Sequence, residues 1–103
     1  MRGQYNREDT VMAKMAMPEI EDALRDLRGW QKDGDALKRE FTYPDHITAM
    51  GFVVRVAMSA EKMDHHPELT ILYNKVSLKL WTHTEGGVTK NDVELAKAID
   101  KVA

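Results

Sequence analysis

The sequence contains no cysteine, only three prolines and few aromatic residues. The absence of cysteine excludes disulfide bonds, thiolate metal ligands and a cysteine nucleophile. It also lacks a long apolar run, because the longest apolar-biased stretch, residues 47–60, is interrupted by Arg55 and is too short to cross a bilayer. Residues 1–17 lack the continuous apolar segment of a secretory signal. We therefore expect a cytoplasmic protein with no membrane contact.

An excess of either charge is missing as well. The net charge is -2 and the calculated pI is near 6.1, which argues against direct binding to nucleic acid through phosphate neutralisation. With 103 residues, 43% of them hydrophobic and 31% charged, the chain is typical of one ordinary globular domain. We expect a loose N-terminal tail over residues 1–17 and a single domain over residues 18–103.

The pattern of apolar residues predicts seven elements. Pro18 suits the first turn of a helix and is followed by acidic residues that the helix dipole favours. Asp33-Gly34 is a strong hairpin signal. The predicted order is a helix at 18–28, a β-hairpin at 29–43, a long helix at 45–64, strands on either side of a short connection at 74–75, and a last helix at 90–102. This α-β-β-α-β-β-α order predicts an α+β fold in which three helices pack on one face of a four-stranded antiparallel sheet.

The long helix is apolar over much of its circumference. Its residues form two stripes at helical spacing: Ile47, Met50, Val54, Ala57 and Met58 in one, and Phe52, Val53, Val56, Ala60 and Met63 in the other. One small sheet cannot cover both stripes. Two alternatives remain open, a fully buried central helix and a surface for self-association.

Three of the four histidines, His65, His66 and His83, lie within 19 positions and are flanked by the carboxylates of Glu61 and Asp92. Histidine exchanges protons near neutral pH, so the cluster is suited to general acid/base chemistry. His-His-Pro is also a good helix stop, because the dipole favours histidine in a last turn and proline cannot continue the helix. That alternative does not account for His83.

The carboxylates and His83 have ordinary interpretations too. Glu61 stands one helical turn before His65 and could be a surface pair. Asp92 stands at the third position after Thr89, a predicted helix N-cap. If the fourth strand is regular, His83 is out of phase with the apolar face. The site then opens on the uncovered face or edge of the sheet, or else the strand ends before His83. The remaining histidine, His46, has no partner in this pattern and is expected to be exposed.

Two other chemistries fit less well. Three histidines with a carboxylate could bind zinc or non-haem iron, but the spacing differs from His-Glu-x-x-His, and adjacent histidines seldom chelate one ion. Neither Ser59 nor Ser77 stands in a nucleophile-elbow context. We therefore expect no metal site and no serine nucleophile.

The cluster belongs to a longer register, Glu61-x3-His65-His66-Pro67-x5-Tyr73-x9-His83-x8-Asp92. This register resembles the signature of the pterin-4a-carbinolamine dehydratases in residue types and in every gap. The resemblance extends over residues 18–102, through Gly29-Trp30, Arg55-Val56-Ala57 and Thr82-His83 among others. The chain departs from the family pattern in two places. Trp81 replaces a small residue before Thr-His, and residues 69–72 lack the aromatic residue or asparagine of many relatives.

The resemblance implies dehydration of 4a-hydroxytetrahydrobiopterin to quinonoid dihydropterin, which recycles the cofactor of aromatic amino-acid hydroxylases. It implies no metal and no redox cofactor. Expulsion of the hydroxyl group needs an acid and removal of the N5 proton needs a base, and imidazole can serve as either. The implied roles are an acid/base pair in His65 and His83, pterin binding and assistance from His66 with Pro67, orientation of His65 by Glu61, support of His83 by Asp92, and stacking on the pterin by Trp30.

The same resemblance implies partners. We expect a homodimer or homotetramer formed through the sheet edge and the 45–64 helix. Animal relatives also act as dimerisation partners of a homeodomain transcription factor. The alternative function is therefore a protein-binding module that acts as a transcriptional coactivator.

Overall fold

The computed structural model describes residues 13–103, which form three α-helices and four strands. In chain order they are α1 (Met17–Leu24), β1 (Gln31–Asp33), β2 (Ala36–Thr42), α2 (His46–Met63), β3 (Glu68–Leu72), β4 (Lys75–Leu80) and α3 (Lys90–Val102), with a 3-10 turn at His83–Glu85. The predicted α+β fold and element order are confirmed. The predicted tail lies outside the described residues over 1–12. Within residues 13–103 no helix is long and apolar enough to span a membrane.

The four strands form one antiparallel sheet in the order β1-β2-β4-β3. Leu78 and Leu80 of β4 are fully buried, and they stand opposite Leu69 of β3 and Leu37 of β2. These side chains alternate with polar residues, as the period of two in a half-covered sheet requires. The apolar face therefore packs against the helices, and the lysine-bearing face is turned to solvent.

The predicted first hairpin is present, and its loop lies one residue later than the Asp33-Gly34 signal. Asp33 pairs with Ala36, so the loop has only two residues, and its first residue, Gly34, adopts φ +60°. Arg39, the polar exception on the inward face of β2, is accommodated by its contacts. Its guanidinium lies 3.0 Å from an Asp100 carboxylate oxygen and 4.3 Å from the centroid of the Phe41 ring.

The ends of α2 explain where the histidines lie. Asp45 caps the helix by accepting a hydrogen bond from the Thr48 amide at 2.7 Å, and this bond holds the pKa of the Asp45 carboxyl below its usual range. At the other end Asp64 adopts a left-handed conformation with φ 50°. The His65 amide then donates to the Ala60 carbonyl at 3.0 Å, which is the six-to-one bond of a Schellman motif. The helix therefore stops directly before the histidine pair, as predicted.

Only one of the two apolar stripes of α2 is buried. Phe52, Val56 and Ala60 lie in the core with at most 1% of their surface exposed. In the other stripe Ile47 is 84% exposed and Met58 67% exposed. A fully buried central helix is therefore excluded within the single chain, and an apolar face of α2 is left on the surface.

Candidate functional site

Asp92 is the centre of a buried polar network at the start of α3. Its side chain has no solvent exposure. One carboxylate oxygen, Oδ2, accepts hydrogen bonds from the Thr89 amide at 2.8 Å and from the Thr82 hydroxyl at 2.9 Å. The Thr89 hydroxyl lies 2.7 Å from the Thr82 hydroxyl, so these polar side chains satisfy one another. The predicted cap therefore also anchors the loop that follows β4.

The other oxygen of Asp92 contacts His65. Asp92 Oδ1 lies 2.6 Å from His65 Nε2, and the His65 side chain is only 13% exposed. A carboxylate can only accept a hydrogen bond, so Nε2 carries the proton of this contact. The neutral imidazole then has Nδ1 as its free basic nitrogen. The arrangement fixes the orientation and the tautomer of the ring.

The carboxylate partners differ from the predicted ones. Asp92 contacts His65, not His83, and Glu61 contacts His66, not His65. Glu61 Oε2 lies 2.5 Å from His66 Nε2, with the two side chains 76% and 55% exposed. The left-handed Asp64 reverses the chain after α2, so consecutive histidines turn to different sides. Simple i, i+4 spacing fails here because the helix ends between the two residues.

His83 lies beyond the end of its strand. β4 ends at Leu80, and Thr82 is then held by a hydrogen bond from its amide to the Gly87 carbonyl at 2.9 Å. His83 starts the 3-10 turn and is exposed. Of the two alternatives left open by the sequence, the strand therefore ends before His83. The imidazole stacks on the Trp81 indole, with ring centroids 4.4 Å apart and an angle of 21° between the planes.

The topology brings these residues to one end of the sheet. The β3–β4 ladder ends with the pair Glu68 and Lys79, and His66 and Trp81 each lie two residues beyond it. Thr82, bonded to Asp92, precedes His83 directly. The three predicted histidines thus leave the sheet at the same end. Thr82 is a supporting residue that the sequence analysis did not single out, although the Thr82-His83 pair was part of the resemblance.

Trp30 is placed elsewhere. Its side chain is 4% exposed, its indole N–H donates to Asp100 at 2.9 Å, and its ring meets Phe41 edge-on at 6.4 Å. Asp100 stands eight residues after Asp92 on α3, about 12 Å along the helix axis. The predicted stacking of Trp30 on a substrate at the histidines is not supported, because the ring is enclosed in the core and bonded at the far end of α3.

Pro67 and His46 complete the predicted residues. Pro67 is half-buried between His66 and the start of β3, and its part in substrate binding stays a prediction. His46 is exposed as expected, but its ring nitrogen Nδ1 lies 2.6 Å from the Tyr73 carbonyl oxygen. This partner is a backbone carbonyl outside the histidine and carboxylate pattern. Its hydrogen bond ties the first turn of α2 to the β3–β4 turn.

The arrangement is suited to proton transfer. Three imidazoles lie at one end of the sheet. His65 and His66 each contact a carboxylate oxygen through Nε2, and His83 stacks on the indole of Trp81. Such groups can donate and accept protons at neutral pH. Within residues 13–103 no group of three or more histidine, aspartate or glutamate side chains is arranged to hold a metal ion.

The chain is similar to known proteins over nearly all of its described part. Residues 13–102 match the family model described as pterin 4 alpha carbinolamine dehydratase. A protein of Bradyrhizobium sp. provisionally named pterin-4-alpha-carbinolamine dehydratase is 55% identical over 84 residues, which cover 80% of this chain and 85% of that protein. A Brucella ovis protein with the same provisional name is 45% identical over 92 residues, covering 87% and 95%. The crystal structure of a transcriptional coactivator/pterin dehydratase from Brucella melitensis superimposes with a TM-score of 0.85 at 42% identity, covering 87% of this chain and 98% of that one.

Proposed function

Because the chain belongs to the pterin 4 alpha carbinolamine dehydratase family, as the register of its histidines predicted, we propose that it dehydrates 4a-hydroxytetrahydrobiopterin to quinonoid dihydropterin. The family is one of hydro-lyases, so the predicted enzyme class is confirmed. In the proposed reaction the C4a–O bond breaks, a proton joins the departing oxygen to give water, and N5 loses its proton as the C4a=N5 double bond forms. In the cytoplasm this step would recycle the cofactor of aromatic amino-acid hydroxylases.

The contact between His65 and Asp92 carries the proposal. We assign the base to His65. Asp92 Oδ1, 2.6 Å from Nε2, accepts the hydrogen bond from that nitrogen, which leaves Nδ1 as the nitrogen that can take up a proton. When Nδ1 takes the N5 proton, the ring becomes an imidazolium beside a buried carboxylate that stabilises it. Because the network is closed to solvent, that carboxylate acts with little screening by water.

The other two histidines complete the mechanism. His83 is exposed at the same end of the sheet and is the proposed acid that protonates the 4a-hydroxyl oxygen. His66, bonded to the exposed Glu61, is proposed to bind the pterin beside Pro67 and to assist. Each proton transfer typically contributes about 10²–10⁴-fold to a rate, which is sufficient for a dehydration that also proceeds unaided.

The test is the decay of freshly generated carbinolamine with and without purified protein. We expect acceleration that EDTA leaves unchanged and that a His66→Ala/His83→Ala double variant loses. His46→Ala is the matched control, because it removes an exposed histidine outside the site and should keep the wild-type rate. Loss of rate on chelation, or an unchanged rate in the double variant, would overturn the mechanism. Absence of any acceleration would overturn the function.

We also propose that the chain associates with itself through the exposed stripe of α2 and the sheet edge at β3. The stripe includes Ile47, Val54 and Met58. Leu72, the last residue of β3, is 73% exposed, and Tyr73, which follows it, is 64% exposed. Apolar patches of this kind commonly mark interfaces. Val54→Lys/Met58→Lys should lower the molar mass measured by light scattering. An unchanged mass would favour a coactivator-type binding module as the explanation of this face, since the similar Brucella melitensis protein is described as a transcriptional coactivator/pterin dehydratase.

A further inference from the structure

Trp81 is the side chain in which this chain departs from the family pattern beside its candidate site. It stands between Leu80 and Thr82, both of which are buried, whereas its own indole is half-exposed. Leu80 pairs with Leu37 across the sheet, and Thr82 is bonded to Gly87 and Asp92. The backbone on both sides of Trp81 is thus fixed. Its indole therefore extends from a fixed backbone at the end of β4, next to the turn that starts at His83.

His83 is anchored differently from the other two histidines. His65 and His66 each have a carboxylate within 2.6 Å of Nε2. Within residues 13–103 the His83 ring forms no hydrogen bond and no ion pair, and its aromatic contact is the stack on Trp81. An exposed imidazole without such a contact would distribute over several staggered rotamers. The near-parallel stack restricts both the position of the ring and the plane in which its nitrogens lie.

We propose that Trp81 is a positioning residue, which holds the His83 imidazole by stacking in the orientation that proton transfer requires. The proposal rests on the function proposed above, in which His83 is the acid. The small residue of the family pattern would offer no surface to the ring. In this chain the indole of Trp81 provides that surface. Trp30, enclosed in the core, cannot take this role.

A double-mutant cycle tests the proposal. Trp81→Ala should lower kcat about 2- to 10-fold, the factor that corresponds to the free energy of one aromatic pair, with KM changed less than kcat. Trp81→Phe retains a stacking surface and should restore most of the loss. In a His83→Ala background the Trp81→Ala change should have no further effect on kcat, because a residue that acts through His83 has nothing left to position.

Three outcomes would overturn the proposal. The first is an equal loss of kcat from Trp81→Ala in both backgrounds. The second is an effect confined to KM, which would make Trp81 a substrate-binding residue. The third is a kcat in Trp81→Phe as low as in Trp81→Ala. Thermal unfolding of each variant checks that the fold persists, as expected for a half-exposed side chain.

An NMR measurement separates this proposal from the proposed function. The ring protons of His83 should resonate upfield in the wild type and in Trp81→Phe, through the ring current of the stacked aromatic side chain, and should move to ordinary positions in Trp81→Ala. If the protein does not accelerate the dehydration but these shifts appear, the proposed function fails, and the orientation of His83 by Trp81 stands without a role in this reaction. If the shifts are absent, the positioning fails whatever the activity.

Discussion

The candidate site has two halves that hold the same kind of side chain in different ways. In the buried half, His65, Asp92, Thr82 and Thr89 form a closed network at the start of α3. In the exposed half, His66 pairs with Glu61, and His83 stacks on Trp81, where water reaches all four side chains. Loss of the group that anchors a histidine therefore has different consequences in the two halves. A buried carboxylate must be fully satisfied, so its loss affects the fold and the chemistry together. An exposed anchor can be lost with an effect on chemistry alone.

The largest effect is expected from Asp92→Asn, which replaces the carboxylate that contacts His65 through one oxygen and the two threonines through the other. The amide cannot accept from His65 and from the two threonines at once, so the His65 tautomer is no longer fixed. We expect kcat to fall by about 10²–10⁴-fold and the free energy of unfolding to fall by about 1–3 kcal/mol. Carbinolamine decay and urea denaturation measure the two quantities.

Thr82→Val serves as the control for Asp92→Asn. It removes one donor to Oδ2 and leaves the Oδ1 contact with His65 in place. It should destabilise the protein while keeping most of the rate. If Thr82→Val lowers the rate as much as Asp92→Asn, the effect of Asp92 does not pass through His65.

The next largest effects are expected from removing each of the two proposed proton-transfer residues, His65 and His83. His65→Ala and His83→Ala should each lower kcat by about 10²-fold or more. His65→Ala should also lower the free energy of unfolding by about 1–3 kcal/mol, because it leaves a buried carboxylate oxygen without its donor. His83→Ala should change stability by less than about 0.5 kcal/mol, as is usual for exposed sites. Equal destabilisation by the two variants would abolish the distinction between the halves.

A smaller effect is expected from Trp30→Phe, at the far end of α3. The change keeps an aromatic ring against Phe41 but removes the hydrogen bond from the indole to Asp100. We expect the free energy of unfolding to fall by about 1–3 kcal/mol and kcat and KM to stay unchanged. A raised KM in a variant that still unfolds cooperatively would restore the predicted substrate-stacking role of Trp30.

The fold could be predicted because its signals are local. The alternation in β4, the hairpin signal at Asp33-Gly34 and the N-cap at Thr89 each depend on a few neighbouring residues. The structure contains all three features, with the hairpin loop one residue later, at Gly34 and Asp35. The family register likewise predicts that the three histidines and both carboxylates form one site, and the structure has the histidines at one end of the sheet. The sequence does not decide which stripe of α2 is buried, because both stripes are apolar at the same helical spacing. Only packing against the sheet distinguishes them.

The pairing of carboxylates with histidines could not be predicted. Glu61 was assigned to His65 from i, i+4 spacing, but the left-handed Asp64 ends the helix between them and shifts the contact by one residue. The support of His83 by Asp92 is a role implied by the family resemblance alone. The histidine that Asp92 contacts is His65, which precedes β3 and lies 27 residues earlier in the chain. Such contacts depend on how the elements pack, which no local pattern records.

The smallest effect is expected from Glu61→Gln, which makes in the exposed half the same acid-to-amide change that Asp92→Asn makes in the buried half. The Glu61–His66 pair is exposed to water and salt, so its contribution to stability should be at most about 0.2–1 kcal/mol. Because His66 is proposed to bind the pterin, we expect a modest rise in KM and less than about a tenfold change in kcat. High salt should reduce the difference between wild type and variant, since it screens exposed pairs. If Glu61→Gln is as damaging to kcat as Asp92→Asn, the exposed half controls the chemistry and the base must be reassigned to His66.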